Sequence, residues 1–261
     1  MSGAAAQGFA PAHDAGRGPQ AAASLASPAA SPPTAADLRI AGLAKLSTCD
    51  WPGRLAATVF LQGCPWRCGY CQNPGLIDPR LPGQMPWPEV AEFLSRRQGL
   101  LDGVVFSGGE PTRQAALLAA LAEVRELGFG TGLHTAGAYP ARLAAVLPLL
   151  DWVGLDLKAL PEHYGAVTGV AAAGAKALES LDLVVASGVD MEVRITVDPV
   201  VHTGQEILDL VGLARRRGAK RVALQEARAK GASPEYGQAL AGRRLRDVLE
   251  APPGVTLRLA D

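Results

Sequence analysis

The chain has 261 residues, of which 48% are hydrophobic and 19% are charged, and this length predicts one main domain with a sizeable core. Basic and acidic residues both total 25, so the formal net charge is zero, and bulk electrostatics does not favour a nucleic acid or a membrane surface as partner. The longest apolar stretch, ARLAAVLPLLDWVGLDL, is interrupted by charges and a proline, so it is a poor membrane span. We expect a soluble, cytoplasmic protein.

The N-terminal segment, residues 1–36, is rich in alanine, proline and serine. It has no compact apolar segment behind a basic start, so it is a poor secretory signal. Its composition is typical of a disordered leader. We expect the ordered chain to comprise a main domain at 37–230 and a C-terminal helix–strand extension at 231–261.

Apolar, β-rich runs alternate with helical patterns along the main domain. Strands are predicted at 54–62, 103–107, 130–134, 152–158, 191–197 and 221–226, and helices at 86–98, 112–128, 139–150, 175–188 and 204–218. Alternation of this kind predicts a parallel sheet. The units are fewer than the eight of a complete barrel, so the predicted fold is α/β, a partial (β/α)6 TIM-type barrel. In the extension we expect a helix at 237–250 and a peripheral strand at 255–260.

Two of the predicted strands carry polar residues on one face. Side chains alternate along a strand, so Asp156 and Lys158 share one face of the strand at 152–158, and Glu192 and Arg194 share one face of the strand at 191–197. Such a face suits a wet or ligand-filled barrel interior. A buried network of ion pairs without a ligand is the alternative.

Three of the four cysteines lie in the segment GCPWRCGYCQNPG, residues 63–75. A disulfide would leave one of Cys64, Cys68 and Cys71 unpaired and requires an oxidising compartment. A structural zinc ion requires a fourth ligand, which Cys49 or His134 would have to supply. In a third interpretation, three thiolates hold three irons of a [4Fe–4S] cluster and leave the fourth iron open to a substrate. The cysteines alone leave the zinc and the cluster interpretations open.

The spacing C-x3-C-x2-C, with Tyr70 before the last cysteine, resembles the signature of the radical S-adenosylmethionine (SAM) superfamily. The segment VVFSGGEPT adds Gly108, Gly109 and Glu110 at the end of a predicted strand, although GGEP alone is also typical of a strand-to-helix turn. Residues 40–226 are similar to the activating proteins of anaerobic ribonucleoside-triphosphate reductase, and more broadly to glycyl-radical-enzyme activases. The segments that carry this likeness include GLAKLSTCDWPGRLAATVFLQGCPWRCGYCQNPGLID, LHTAG, WVGLDLKA and VRITVDPVVH.

The resemblance implies two cofactors, a [4Fe–4S] cluster and SAM. It implies that the cluster ligands are Cys64, Cys68 and Cys71, and that the SAM contacts are Tyr70, Gly108, Gly109, Glu110, Thr135, Asp156, Lys158 and Arg194. The implied reaction is reductive cleavage of SAM to a 5′-deoxyadenosyl radical, which takes a hydrogen atom from a glycine of a partner enzyme. The implied partners are therefore a glycyl radical enzyme and a flavodoxin- or ferredoxin-type electron donor.

The chain departs from related activases at two positions. Gln72 stands where a histidine is often found, and His134 stands where an aspartate is common, so a cation site beside SAM is not expected. His134 is either a neutral polar wall or a packed residue, and Cys49 is expected to be a small buried residue. Two other functions stay open: a radical SAM enzyme that modifies a small molecule or peptide directly, and a zinc-stabilised binding protein.

Overall fold

A single sheet of eight strands organises the chain, as seen in a computed structural model that describes residues 31–260. Most of the predicted leader lies outside the described residues. The strands, in chain order, are β1 Ile40–Ser47, β2 Ala56–Leu61, β3 Gly103–Gly108, β4 Gly130–Thr135, β5 Trp152–Asp156, β6 Asp190–Val197, β7 Val222–Glu226 and β8 Thr256–Arg258. Their order in the sheet is the same as their order in the chain. β1 pairs antiparallel with β2, and every later pair is parallel.

Helices connect the parallel strands. They are α1 Trp87–Ser95, α2 Leu117–Glu126, α3 Pro140–Val146, α4 Tyr164–Thr168, α5 Ala173–Ser187, α6 Gly204–Arg216 and α7 Pro234–Leu240. Within the described residues, no helix is both long enough and apolar enough to cross a membrane. This repeated strand–helix order confirms the predicted partial barrel, with β2 to β7 as its six parallel strands.

The strand β1 was not predicted. Its sequence, IAGLAKLS, contains glycine and alanine, which have weak β propensity, and its central residues are only partly buried. β2 to β7 were predicted within a few residues because they are short, nearly continuous apolar runs, as expected of strands covered on both faces. β1 instead lies at the sheet edge, where β2 is its one neighbouring strand in the sheet.

The barrel interior is filled by two tryptophans. Trp51, in the loop between β1 and β2, stacks on Trp152 of β5 with ring centroids 5.7 Å apart. Glycines on the neighbouring strands make room for the Trp51 ring, since a Cβ built on Gly103 or Gly132 would lie only 2.9 or 3.0 Å from it. Trp51 thereby anchors the β1–β2 loop inside the barrel. The neighbouring residue, Asp50, lies beside polar residues of the strands, because its carbonyl meets His134 and Arg194.

In the C-terminal extension, the structure differs from the helix predicted at 237–250. α7 begins at Pro234 and ends at Leu240, because Ala241 and Gly242 adopt positive φ angles of 50° and 75°, which an α-helix cannot continue through. Only a short 3-10 turn follows within the rest of the predicted helix. The predicted terminal strand is present as β8, parallel to β7.

Candidate active site

A cavity of about 440 Å³ opens at the carboxyl end of the parallel strands. Every predicted site residue except Glu110 lines this cavity: Cys64, Cys68, Tyr70, Cys71, Gly108, Gly109, Thr135, Asp156, Lys158 and Arg194. The carboxyl ends of parallel strands are where barrel folds assemble their sites. Residues from five different segments of the sequence are therefore brought to one place.

The three cysteines lie in a tight loop after β2. Gly63 begins the loop with a φ of +98°, and the Cys64 amide donates a hydrogen bond to the Ile77 carbonyl at 3.0 Å. Burial raises the pKa of the Cys64 thiol to about 12 and also raises the pKa of Cys68. A metal that binds them as thiolates must therefore displace their protons.

The donor set fits a cluster. Among residues 31–260, no three His, Cys, Asp or Glu side chains converge as ligands of a single metal ion. A [4Fe–4S] cluster does not require such convergence, because each thiolate binds a different iron. A second observation is the Tyr70 hydroxyl, which is buried beside the cavity and has no hydrogen-bond partner among the described residues. A bound group with polar atoms would supply that partner.

Gly108 and Gly109 bring β3 against the cysteine loop. Gly108 has a φ of +114°, and a Cβ there would collide with the backbone of Leu61, while a Cβ on Gly109 would collide with the carbonyl of Gly63. The Gly109 amide donates to the Leu61 carbonyl at 2.9 Å. Only glycine fits at both positions, so bare backbone faces the cavity here.

Glu110 is placed differently from the other predicted site residues. Its carboxylate is fully buried and does not line the cavity. It accepts hydrogen bonds from the Thr112 amide and hydroxyl, the Thr135 hydroxyl and the Ala136 amide, at 2.6 to 3.1 Å. Burial raises the pKa of Glu110, although these donors oppose the shift. In this structure Glu110 therefore holds Thr135 and Ala136 in the cavity wall and is itself directed to protein groups.

Lys158 and Asp156 form a charged pair in the wall. The Lys158 ammonium lies 3.3 Å from the Asp156 carboxylate and 5.6 Å from the centroid of the Tyr70 ring. Its backbone is fixed on both sides: the amide donates to the Tyr164 hydroxyl at 3.2 Å, and the carbonyl lies 2.9 Å from Nε2 of His202. The pair therefore presents one positive and one negative charge to a ligand in fixed positions.

Arg194 joins the wall to the β1–β2 loop. In the parallel register of β5 and β6, Arg194 lies beside Asp156. Its guanidinium donates to the Asp50 carbonyl at 3.0 Å and to Glu192 at 3.2 Å, and it stacks 5.0 Å above the Trp152 ring. Asp156, Lys158 and Arg194 thus form ion pairs and also line the cavity, whereas Glu192 forms an ion pair but is not a lining residue.

His134 is both a wall residue and a packed residue. Nδ1 lies 3.1 Å from the Ser107 hydroxyl, and Nε2 lies 2.9 Å from Arg194 and 2.7 Å from the Asp50 carbonyl. Burial and the charge of Arg194 lower the pKa of His134 to about 4. The ring is therefore neutral at pH 7. His134 is a neutral polar residue of the cavity wall and is also packed against its neighbours, so both alternatives apply.

Sequence reasoning missed two sources of cavity residues. The β1–β2 loop contributes Asp50 and Cys49, and Cys49 is exposed, so the prediction that it is buried is wrong. The C-terminal strand contributes Arg258, which binds Glu192 at 2.7 Å. The alternating pattern of VTLRLA could have identified Arg258, because it places this side chain on the opposite face of the strand from the two leucines.

The two sides of the open sheet meet above the cavity. The Gln72 side-chain amide donates to the Arg228 carbonyl at 3.0 Å, and Arg228 Nε donates to the Gln72 side-chain oxygen at 2.8 Å. Gln72 follows β2 and Arg228 follows β7, and both line the cavity. We call this pair of hydrogen bonds the clasp.

Residues 58–216, more than half of the chain, match the model of the radical SAM superfamily. A putative glycyl-radical enzyme activating enzyme of Methanocaldococcus jannaschii is 30% identical over 179 residues, which cover 66% of this chain and 73% of the relative. The pyruvate formate-lyase-activating enzyme of Clostridium pasteurianum is 30% identical over 178 residues, covering 64% of this chain and 72% of that enzyme.

Solved structures share the fold. The crystal structure of Streptococcus suis SuiB bound to S-adenosylmethionine matches with a TM-score of 0.56 at 13% identity. The match covers 77% of this chain and 48% of the SuiB chain, so the chain spans about half of that structure and the likeness concerns the fold alone. Together, the family match and the shared fold show that this chain belongs to the radical SAM superfamily, as an enzyme whose cofactors are a [4Fe–4S] cluster and SAM.

Proposed function

We propose that this radical SAM enzyme is an activase that installs a glycyl radical on a separate enzyme, and that its partner is anaerobic ribonucleoside-triphosphate reductase. The observation that carries the activase assignment is the match to two relatives named as activating enzymes, each covered over more than two thirds of its own length. The finer assignment rests on the segments 40–226 that resemble the reductase activases.

The proposal assigns the cluster to the cysteine loop. Cys64, Cys68 and Cys71 are its ligands, and their half-buried thiols face the cavity. When bound and reduced, the cluster supplies the electron that cleaves SAM to methionine and a 5′-deoxyadenosyl radical, which abstracts hydrogen from the partner's glycine. The protein's own contribution is to bind, to orient and to exclude water.

The remaining wall residues are assigned to SAM. Lys158 and Arg194 offer positive charge to its carboxylate, and Asp156 offers negative charge to its ammonium group. The backbone of Gly108 and Gly109 lets the ligand approach closely, and Tyr70 and Thr135 add hydroxyl groups. Glu110 acts through Thr135 and Ala136 as a positioning residue, because its carboxylate is buried and accepts hydrogen bonds from protein groups at both oxygens.

The proposal also covers the cellular setting and the division of the chain. We assign the enzyme to the cytoplasm, with a flavodoxin- or ferredoxin-type protein as its electron donor. Residues 37–230 form the catalytic barrel in this proposal. The extension from residue 231 adds the wall that contains Arg258.

The first test is anaerobic loading of the protein with iron and sulfide. Cys68→Ala is expected to lower iron content and to abolish 5′-deoxyadenosine formation with dithionite and SAM, because one iron loses its protein ligand. Cys49→Ala is the matched control, since Cys49 lies outside the loop, and it is expected to retain iron. Equal iron loss in both variants, or one zinc and no iron in the wild type, would contradict the cluster assignment.

The second test adds the partner. Loaded enzyme, SAM and anaerobic ribonucleotide reductase are expected to give a glycyl radical that electron paramagnetic resonance detects. A radical on pyruvate formate-lyase but not on the reductase would support the activase assignment and would overturn the choice of partner. SAM cleavage without a glycyl radical on either enzyme would instead favour direct modification of a small molecule or peptide.

A further inference from the structure

The cysteine loop separates two cavities. The first is the candidate active site, and the second is an open depression of about 700 Å³. Cys64, Cys68 and Cys71 line both. Other loop residues divide between them: Trp66 lines only the active-site cavity, whereas Arg67 lines only the second one. The cysteines can therefore be approached from two directions.

The residues beside the cysteines are more exposed on the side of the second cavity. Its loop residues Arg67 and Gly69 are exposed, whereas Trp66 and Tyr70, on the active-site side, are buried. One-electron transfer between proteins weakens steeply with distance. A donor that is seated on this face would approach the cluster without entering the space that SAM and the substrate must occupy.

Arginines surround this second cavity. Arg67 and Arg80 line it, and Asp78, which pairs with Arg80 at 2.8 Å, is the only carboxylate among its described lining residues. Arg39 lies at its border, where it donates to the Pro79 carbonyl at 2.6 Å. The Arg113 side chain packs beside Gly63, close to Pro79.

The arginine face is thus defined by Arg39, Arg67, Arg80 and Arg113. These four arginines contrast with the single carboxylate, Asp78, among the described lining residues of the cavity, on a chain whose formal net charge is zero. A local excess of this kind steers oppositely charged partners and sets the orientation of a transient complex. Its chemistry therefore matches an acidic protein.

We propose that the arginine face is the docking surface for an acidic one-electron carrier protein. The inference rests on the proposed function, since reductive cleavage of SAM requires an external electron. In the docked complex one electron leaves the carrier and enters the cluster, so the carrier is oxidised and the cluster is reduced by one electron. No atom is exchanged and no bond is formed between the two proteins.

Binding is the primary test, because it can be measured with and without the cluster. The probe is a bacterial flavodoxin, and the variant is the double charge reversal Arg67→Glu with Arg80→Glu. Calorimetry at low salt is expected to show affinity weakened by about tenfold or more, and the wild-type affinity is expected to fall as salt is added. The matched control, Arg96→Glu with Arg216→Glu, changes the net charge equally at exposed positions elsewhere.

Turnover separates docking from chemistry. With equal iron and sulfide content, the double variant is expected to form 5′-deoxyadenosine normally with dithionite but slowly with reduced flavodoxin. Arg67→Gln with Arg80→Gln is expected to give a smaller loss. Equal affinities for all variants, equal losses in the control, or no binding of flavodoxin to the wild type would overturn the docking surface. If flavodoxin binds normally but no glycyl radical forms, the activase assignment is overturned and the docking surface is not.

Discussion

At the scale of single residues, the site depends on side chains that are fixed by contacts with other protein groups. Glu192 accepts from Arg194 and Arg258, so two guanidinium groups share one carboxylate in the barrel interior. Arg194 in turn holds the Asp50 carbonyl beside His134. Buried charges are costly unless they are paired. The network therefore maintains the shape of the cavity before any ligand arrives.

The neutral state of His134 predicts how stability depends on pH. Its folded pKa of about 4 lies below the unfolded value near 6.5, so the unfolded chain binds the proton more readily. The stabilisation is complete above pH 6.5 and is lost as the pH falls toward 4. Between pH 7.5 and 5.5, His134 should lower the free energy of unfolding by about 1 kcal/mol.

Urea denaturation at the two pH values measures this change. His134→Gln has no titrating ring, so its free energy of unfolding should vary less between pH 7.5 and 5.5 than that of the wild type. His202, whose pKa burial also lowers, is present in both proteins, so its contribution cancels in the comparison. Identical pH dependence in the two proteins would show that the ring is not held neutral in the fold.

At the scale of elements, the contact between β2 and β3 sets the geometry of the site. Gly108→Ala should destabilise the fold by more than about 2 kcal/mol, because the new Cβ meets the Leu61 backbone and the residue has a positive φ. Gly128→Ala is the control. Gly128 also has a positive φ, of 84°, but open space surrounds it, so the cost should be about 1 kcal/mol.

Thermal and urea unfolding of both variants provide the comparison. A similar loss in the two proteins would mean that backbone conformation alone explains the glycine, and that the close approach to Leu61 is relieved by a small shift of the strands. A larger loss for Gly108→Ala would confirm that the strand contact itself requires glycine.

The parallel strands and the motif residues were accessible from sequence, since both depend on local patterns. The runs at β2 to β7 are apolar enough to identify alone, and the cysteine and GGE segments carry their own spacing. The GGE motif indicates Glu110 as a SAM contact, but the motif alone cannot show that Thr112 and Thr135 donate hydrogen bonds to its carboxylate. Asp50 was missed because it reaches the cavity through the packing of Trp51 inside the barrel, which is a tertiary contact.

At the scale of the whole molecule, Glu226 fastens the C-terminal extension to the barrel. Its buried carboxylate accepts from the amides of Leu245 and Ala260 and from the Arg244 guanidinium, each at 2.8 Å. Despite burial, these partners lower the pKa of Glu226 to about 2. One side chain at the end of β7 thus holds the strand that brings Arg258 into the cavity wall.

Glu226→Gln should release this extension, because an amide cannot replace a carboxylate that accepts three hydrogen bonds. We expect faster hydrogen exchange in residues 241–260 and a loss of about 2 kcal/mol in the free energy of unfolding. Glu250→Gln, an exposed change in the same segment, should leave both unchanged. Unaltered exchange in Glu226→Gln would indicate that the β7–β8 pairing and apolar contacts hold the extension without this carboxylate.

The clasp has a consequence for how this molecule opens. Separating two neighbouring strands breaks a whole ladder of backbone hydrogen bonds, whereas parting Gln72 from Arg228 breaks two bonds that water can replace at a net cost of about 1 kcal/mol each. The two hydrogen bonds of the clasp are therefore weaker than the ladder between any two strands of the sheet. Gln72 and Arg228 both line the cavity, so a ligand that parts the clasp widens the mouth of the cavity without breaking a strand pair.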